Sequence, residues 1–332
     1  MTLLKDIAFA LSMLLLSSCI RDDITLCTNV FEVKLTYDYN MHGENILARE
    51  ANRANVYVFD RDSILISVTT QEGDLSSIHP VSVSSPYSDK YHFVAVARSS
   101  DIKNEYADVM IPEMIVGQSK LQEFKTALKL FEGNVQKCKL NNFLIGYASS
   151  EERIEGGRSS EIDIRMKKLN KDLRIVLLPV QGGKSLAISS FDFGVEDKFG
   201  DGSVDYKFEP LSGSFITYKP YSIKTVADNS GYSILDSDAG RAVTADLSTA
   251  RLISSYKPEI VIKNNETDFE IIRLDLTWLI SLADRNQWDL QEYLDREDKY
   301  TFTFFIDGDS DTLIKTKIIV NDWYISIEDI EI

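Results

Sequence analysis

The fold is most constrained by a stretch in which apolar and polar side chains alternate strictly. Phe31, Val33, Leu35, Tyr37 and Tyr39 are each followed by one polar residue. A period of two places all five side chains on one face of an extended strand, whereas a helix would scatter them around its axis. Residues 31–39 are therefore predicted to form a β-strand with one buried face.

Similar apolar segments recur along the chain and are separated by clusters of Gly, Asn, Asp and Pro. Further strands are predicted at residues 55–59, 92–97, 143–147, 162–166, 173–178, 204–208, 259–263, 269–276, 300–306 and 315–320. Long helical patterns do not regularly separate these segments, which favours antiparallel β-sandwiches over a parallel sheet. The chain is therefore predicted to be mainly β.

One segment has the spacing of a helix. Apolar residues recur at steps of three and four from Leu121 to Phe131, and Ser119 with Gln122 has the form of a capping box at the start. The spacing predicts a helix over residues 121–131 that covers one end or face of the first sandwich.

A polar, basic stretch at residues 167–172 divides the chain into halves of similar size. It stands directly before a new apolar strand pattern, and a length of 332 residues is enough for two hydrophobic cores. The predicted organisation is an N-terminal β-sandwich domain at 29–170 and a C-terminal β-sandwich domain at 171–332.

The N-terminus has the pattern of a bacterial lipoprotein signal. Lys5 precedes an apolar run at residues 7–16, which is too short to span a bilayer, and Leu16-Ser17-Ser18-Cys19 follows it as a lipobox. Residues 1–18 are predicted to be a signal peptide, Cys19 to be the lipidated residue that holds the chain in a membrane, and 19–28 to be a tether. A plain secretory peptide with an incidental cysteine is the alternative. The Arg21-Asp22-Asp23 segment resembles the export tag of surface lipoproteins in the Bacteroides group.

Net charge limits the partners of the folded body. The chain carries 52 acidic and 36 basic side chains, a net charge of −16, which disfavours nucleic acid and anionic membrane surfaces as partners. After Cys19 no apolar stretch approaches the length of a spanning helix. The predicted membrane contact is therefore the lipid on Cys19.

Cys27 and Cys138 are the cysteines that follow the lipobox. Outside the cytoplasm they could form one disulfide, and closing a loop of about 110 residues would stabilise the fold by about 4 to 5 kcal/mol. Two separate buried thiols are the slightly preferred alternative, because the sequence does not specify their distance.

Motifs for nucleotide or metal binding are incomplete. The segment Gly182-Gly183-Lys184-Ser185 has the end of a phosphate-binding loop, but Leu178 stands where its first glycine is required. Residues 307–311 place Asp at alternate positions as a calcium loop does, yet Thr312 stands where the turn glycine belongs. A glycine turn and a β-hairpin, respectively, are the predicted structures.

Catalytic patterns are also missing from the sequence. The histidines at 42, 79 and 92 have no metal-ligand spacing, and His92 is predicted to have a structural, hydrogen-bonded role. Carboxylate pairs such as Glu151-Glu152 and Glu297-Asp298 carry little information in so acidic a chain. The chain is predicted to have no catalytic residue, metal or cofactor and not to be an enzyme.

Several segments, taken in order, resemble the FimB/Mfa2 family of fimbrial anchor lipoproteins from the Bacteroides group. The matching pieces are the lipobox at Cys19 and residues 33–40, 55–60, 292–304 and 319–323. The resemblance implies two transthyretin-like β-sandwiches, pilin subunits as partners, and a position at the base of a fimbria at the outer membrane. It also implies an anchor that keeps its own first strand and its lipid, and so joins the fibre without being released.

Alternatives to this expectation are a tip or accessory fimbrial adhesin and a glycan-binding surface lipoprotein. A third alternative is a processed subunit, in which a trypsin-like protease cuts after Arg49 or Arg53 and opens a groove for a donor strand. At the other end, an apolar pattern runs from Trp323 to Ile332. That terminal strand could complete the chain's own sheet, which is favoured, or be offered to a pilin.

Overall fold

The computed structural model describes residues 28–75, 79–84, 90–150, 160–179, 186–226, 242–283, 285, 287–307, 312–321 and 323–325. The predicted signal peptide, Cys19, Cys27 and the glycine turn near residue 182 lie outside these residues, as does Glu151-Glu152.

Twenty strands and three short helices are assigned within the described residues. The strands are β1 (Thr28–Thr36), β2 (Arg53–Phe59), β3 (Leu65–Glu72), β4 (His79–Ser84), β5 (Tyr91–Arg98), β6 (Val109–Met110), β7 (Ala127–Leu128), β8 (Val135–Gln136), β9 (Phe143–Ser150), β10 (Ser160–Lys168), β11 (Lys171–Pro179), β12 (Phe191–Asp197), β13 (Ile216–Tyr218), β14 (Ser222–Val226), β15 (Ala242–Thr249), β16 (Glu259–Asn264), β17 (Glu270–Asp275), β18 (Lys299–Asp307), β19 (Thr312–Val320) and β20 (Trp323–Ile325). The helices are α1 (Leu47–Glu50), α2 (Leu276–Ser281) and α3 (Leu290–Arg296). The prediction of a mainly β fold is confirmed.

Three sheets contain nearly all of these strands. The first has the order β3-β2-β5-β9-β10-β1-β4, the second β14-β15-β11-β18-β19-β20 and the third β17-β16-β12-β13-β8. A small additional sheet pairs β6 with β7. All strands of the first sheet lie before residue 169 in the sequence. All strands of the other two large sheets lie after residue 170, except the two-residue β8.

The first sheet folds over its own core because the two ends of β10 pair with different strands. Ser160–Arg165 pair with β1, whereas Met166–Lys168 pair with β9. Buried side chains of β1 and β4 therefore pack against those of β2, β5 and β9 in one hydrophobic cluster. Phe31 of β1 makes edge contacts with the rings of Tyr91 and Phe93 at centroid distances of 5.0 and 4.9 Å.

The second and third sheets enclose a second core. Phe302 and Phe304 on β18 and Ile175 on β11 belong to the same buried cluster as Phe193 on β12 and Ile260 on β16. This cluster also reaches β2, β5 and β9 through the outer face of the first sheet. The two cores are therefore joined by apolar packing across the sheet between them.

The antiparallel expectation did not include parallel pairs, but each of the three large sheets contains one; in the third sheet it is the short pair β13–β8, and the first and second sheets have longer ones. β1 runs parallel to β10, and β11 runs parallel to β18. β1 is the first strand of its half and β10 is the last. β11 is the first strand of the other half, and β18 is the next-to-last long strand there. The strands of each pair are therefore connected by nearly the whole of that half. Such pairing cannot be read from local periodicity.

The predicted helix over residues 121–131 is wrong. Only Leu121–Glu123 form a 3-10 turn, and β7 follows at Ala127–Leu128. Thr126 pairs instead with Val204, since its amide donates to the Val204 carbonyl at 2.8 Å and its Oγ1 accepts from the Val204 amide at 2.9 Å. This long-range pairing outweighs local helix propensity, and the apolar residues are buried without a helix.

The predicted capping box and the strand at 204–208 are also wrong. The hydroxyl of Ser119 accepts from the Ile115 amide at 2.9 Å rather than capping a helix. The carboxylate of Asp205 accepts from the amides of Lys207 and Glu209, and Phe208 has a φ of 69°. An Asp side chain that satisfies nearby amides favours a turn over a strand.

The hairpin prediction at residues 307–312 is confirmed. Asp307 and Thr312 face each other at the end of the antiparallel pair β18–β19. The connecting residues 308–311 are outside the described part of the chain. Antiparallel strands of this kind are joined by short turns, which Asp-Gly favours.

Candidate functional site

β1 is an interior strand that the chain supplies to itself. It pairs with β10 along one edge and with β4 along the other. The side chains of Phe31, Val33 and Leu35 are at most 2% exposed, as the alternation of the sequence predicted. Removing β1 would open the first core and leave backbone donors and acceptors on two neighbours without partners.

The arginines proposed as processing sites follow β1 at different positions. Arg49 is exposed on the four-residue helix α1. Arg53 begins β2 and is paired in register with Glu72 on one side and Arg98 on the other. A peptide bond inside a paired strand is a poor protease substrate, so Arg49 is the more accessible of the two.

A buried ion cluster joins the two halves close to the end of β1. Lys168 contacts the carboxylates of Glu50 at 2.8 Å and Asp298 at 3.3 Å. The hydroxyl of Tyr37, just beyond β1, donates to Asp298 at 3.1 Å. Lys171, which begins β11, lies 3.4 Å from the second oxygen of the same carboxylate. We call these five residues the junction cluster.

Lys171 is the most deeply buried charge of the junction cluster. Its side chain is 0% exposed, and its Nζ donates to the carbonyls of Asp295 at 2.8 Å and Glu297 at 2.7 Å. Burial lowers the pKa of Lys171 despite the nearby Asp298. Burial acts in the same direction on Lys168, but the carboxylates of Asp298 and Glu50 outweigh it and raise the pKa of Lys168.

The sequence contains a signal for these buried lysines that the predicted domain boundary in the polar stretch 167–172 did not use. Ile162, Ile164, Met166 and Lys168 alternate on the buried face of β10. Lys171 likewise begins the buried alternation of β11. Both lysines therefore point inward by strand periodicity.

A second ion pair fixes α3 beside the junction cluster. Arg251 holds Asp295 through two contacts of 2.7 Å, and both side chains are at least nine-tenths buried. The guanidinium of Arg251 also lies 4.3 Å from the ring centroid of Phe208. The N-cap of α3 is Asp289, which accepts from the Glu292 amide at 2.8 Å. Glu297-Asp298 is thus part of a structural network rather than an open carboxylate pair.

Buried tyrosines make stability sensitive to alkaline pH. Burial raises the pKa of Tyr37, Tyr218 and Tyr300 above the ordinary value. The unfolded chain alone therefore loses these protons above pH about 10, so stability is full below that pH and falls above it. The expected loss is about 1.4 kcal/mol per tyrosine per pH unit above pH about 10. The raised pKa of Lys168 adds to this loss, whereas the lowered pKa of Lys171 acts in the opposite direction only below the unfolded lysine value of about 10.4.

Urea denaturation at pH about 8 and about 11 measures this dependence, because the midpoint is proportional to stability. A midpoint that does not move between the two pH values would contradict the burial of the three hydroxyls.

Several strands have one edge without a partner strand in the described part of the chain. β14 and β20 end the second sheet, and β17 ends the third. β20 pairs in an antiparallel manner with β19, which confirms own-sheet completion for Trp323–Ile325; residues 326–332 are not described. Free strand edges carry unpaired backbone donors and acceptors and can pair with another chain.

The other predicted site residues have the following environments. Cys138 is half-buried, its Sγ accepts from Asn104 at 3.4 Å, and burial raises the pKa of its thiol. Because Cys27 is not described, its pairing with Cys138 stays a prediction. His92 has the expected structural role, with its Nδ1 2.8 Å from the hydroxyl of Tyr147.

The described ranges contain neither a metal-binding cluster nor a membrane-spanning helix. No group of three or more His, Cys, Asp or Glu that could hold a metal ion is found there. No helix in the same ranges is both long and apolar enough to cross a membrane.

Comparison with known families decides the relationship of the chain. It matches the family described as fimbrillin-A associated anchor proteins Mfa1 and Mfa2 over residues 25–329. The chain belongs to this family. The resemblance predicted from the sequence is thereby confirmed, and membership in the Mfa2 family supports a fimbria-associated role at the cell surface.

Solved structures share the fold of this Mfa2 family member. The fimbrial anchor protein Mfa2 from Porphyromonas gingivalis aligns with a TM-score of 0.66 at 16% identity, covering 90% of this chain and 99% of that one. A proposed polysaccharide-binding protein from Bacteroides thetaiotaomicron aligns with a TM-score of 0.75 at 20% identity, covering 91% and 99%. A proposed adhesin from Bacteroides ovatus gives 0.74 at 18%, covering 94% and 98%. No curated protein sequence matches the chain.

The segment 292–304 that carried much of the resemblance has a structural explanation in this member of the family. It contains most of α3, including Asp295, and the first part of β18, with Asp298 between the two elements. Through Asp298 the segment contributes to the contact with Lys168 and Tyr37 of the first half.

Proposed function

We propose that the chain is a lipid-anchored surface protein that holds or terminates a fimbria at the outer membrane through non-covalent contacts with pilin subunits. The observation that carries this proposal is the interior position of β1, paired along both edges and buried in its own core. A subunit that keeps this strand has no vacant groove for a donor strand. It can join a fibre at its edges and stay where it is tethered.

The tether supports the same function. Cys19 precedes the first residue of β1, Thr28, by nine positions in the sequence. An acyl chain on Cys19 would hold that end of β1 close to the membrane, since nine residues extend at most about 30 Å. The part of this proposal that concerns the membrane rests on the lipobox, with residues 1–18 removed as a signal peptide.

The pilin contact is assigned to the free strand edges. β14 and β20 lie at opposite ends of the second sheet, and β17 lies at the end of the third. We choose these three over β3 and β4, which end the first sheet, because they follow the division that we place at residue 170 and so belong to the half farther along the chain from the lipid. Backbone pairing at such an edge is a general means of joining two chains.

Substitution of the lipid-bearing residue tests the anchor. In a Cys19→Ala strain we expect fimbriae to be shed into the medium, because a single covalent lipid attachment has been removed. Immunogold labelling of cells and of the culture supernatant measures the distribution of fibres. Cys138→Ala is the matched control and should leave attachment unchanged.

The same experiment separates an anchor from a tip adhesin. Fibres that stay attached in the Cys19→Ala strain, with labelling at the distal end and reduced adhesion, would contradict anchoring and support a tip position. Mass spectrometry of the mature protein checks the acyl modification directly.

A further inference from the structure

Two arginines face each other on the outer side of the first sheet. Arg53 on β2 is directly opposite Arg98 on β5, and Glu72 on β3 is the neighbour of Arg53 on the other side. Residues opposite each other in register have their side chains on the same face of the sheet. The three side chains thus form one row across β3, β2 and β5.

Among the described residues, only one of these like charges has a carboxylate partner, because Arg53 forms an ion pair with Glu72 whereas Arg98 does not. The Nε of Arg53 is buried without a hydrogen bond, and its distance to the Glu72 carboxylate is 3.6 Å. Arg98 is half-buried and forms no side-chain hydrogen bond or ion pair within the described residues. Like charges directly across strands are destabilising, and in a chain of net charge −16 an arginine has many acidic side chains available.

The arginine row lies in the wall of a polar cleft. The cleft has a volume of about 620 Å³, and Lys103, Ser99 and Ser100 are among the residues that line it. Its second carboxylate, Asp108, already accepts from the Nδ2 of Asn141 at 2.7 Å. Three cations therefore share the cleft with two carboxylates, of which Glu72 pairs with Arg53 and Asp108 accepts from Asn141, so among the described residues Arg98 and Lys103 keep an uncompensated positive charge there.

The two strands that carry the arginines cannot take an additional strand. β2 is paired by β3 and β5, and β5 is paired by β2 and β9. A ligand must therefore be recognised by side chains. The planar guanidinium groups suit a carboxylate, and the serine hydroxyls and amide groups suit sugar hydroxyls. A volume of about 620 Å³ is in the range of small-ligand sites.

We propose that the cleft at Arg53 and Arg98 binds a carboxylated sugar, such as a uronic acid unit of a surface glycan, with both guanidinium groups on its carboxylate. This site is distinct from the strand edges assigned to pilin contact. The proposal does not depend on whether the chain is an anchor or a tip subunit.

Titration of the full mature protein with glucuronate tests the site, with glucose as the neutral analogue of the same ring. We expect saturable glucuronate binding, and at least about tenfold weaker binding of glucose and of glucuronate to the Arg98→Gln variant, because a charge-assisted hydrogen bond is lost in both cases. Arg49→Gln, which removes an exposed arginine elsewhere, should bind as the unaltered protein does.

Thermal unfolding is a second measurement, in which the variant that binds glucuronate more weakly is expected to be the more stable protein. Without ligand, Arg98→Gln should raise Tm by about 1 to 3 °C, because the repulsion from Arg53 is removed. Glucuronate should raise the Tm of the unaltered protein and not that of the variant. A variant with lower Tm would indicate that Arg98 serves packing, which contradicts the proposal.

Three binding results would overturn the proposal. They are equal binding of glucuronate and glucose, no binding of glucuronate up to about 10 mM, and unchanged affinity in Arg98→Gln. Tighter binding of N-acetyl-aspartate amide than of glucuronate would assign the cleft to an acidic peptide side chain instead of a sugar.

Discussion

Replacing Phe31 by alanine is expected to lower the free energy of unfolding by about 3 to 5 kcal/mol. The ring is 0% exposed and contacts Tyr91 and Phe93 across the first core. Its removal leaves a cavity in a region enclosed by strands on both sides, where the surroundings can relax only partly. Urea denaturation monitored by circular dichroism measures the change, with the slope used to check that the native state has not been altered otherwise.

Glu32→Ala is the matched control for the Phe31 prediction. Glu32 is the next residue of β1 and is exposed, so its replacement should change stability by less than about 1 kcal/mol. If both variants lost similar stability, β1 would not be the interior strand on which the anchor proposal depends. A chain that tolerated Phe31→Ala without loss would instead fit a subunit whose first strand is dispensable.

Asp298→Asn should destabilise the protein by about 3 to 5 kcal/mol, because breaking a buried ion pair from one side leaves its partner charge uncompensated. Asp298 contacts both Lys168 and Lys171 and accepts a hydrogen bond from the hydroxyl of Tyr37. After the substitution, Lys171 keeps only the two carbonyl acceptors at its Nζ. Urea denaturation measures the loss.

An exposed carboxylate provides the control for Asp298. Asp268 forms an ion pair with Lys263 at 3.3 Å, but its side chain is 86% exposed. Asp268→Asn should therefore cost at most about 1 kcal/mol. Equal losses in the two variants would show that burial does not distinguish the junction cluster from an ordinary surface pair.

The junction cluster connects the tethered first strand of the proposed anchor to the second sheet, so that a mechanical load can pass between them. Tyr37 follows β1, which is next to the predicted lipid tether, and Asp298 immediately precedes β18 in the second sheet. A load applied to the second or third sheet would reach the tethered strand through these side chains and through the apolar core that the halves share. Loss of the Asp298 contacts would weaken that path as well as the fold.

Most long strands could be predicted from the sequence because their signal is local. The alternation at 31–39, the apolar runs at 92–97 and 173–178, and the hairpin pairing of β18 with β19 each correspond to observed elements. Strands β3, β4, β12, β13, β14 and β15 were not predicted. β3, β4 and β14 are edge strands and β13 has three residues, and such strands carry weak periodicity. β12 and β15 lie inside their sheets, and their nearly continuous burial leaves no alternation to detect.

The polar side chains near residue 170 predict a domain boundary, although strand periodicity places the side chains of Lys168 and Lys171 on the buried faces of their strands. The partner that makes this burial tolerable, Asp298, lies more than 120 residues further on. A charge can be buried only where another group compensates it. No local pattern could supply that information.

Local patterns in the amino-acid order were enough to predict a mainly β protein, a first strand with one buried face, and the family that the chain resembles. Contacts between distant segments decided three other features. These are the turn and short strand in place of a helix at Leu121 to Phe131, the parallel pairs β1–β10 and β11–β18, and the position of Arg53 opposite Arg98. Periodicity reports which side of a strand faces the core, because it depends on adjacent residues. It does not report which strand lies alongside, because that choice depends on the packing and hydrogen bonds of the whole chain.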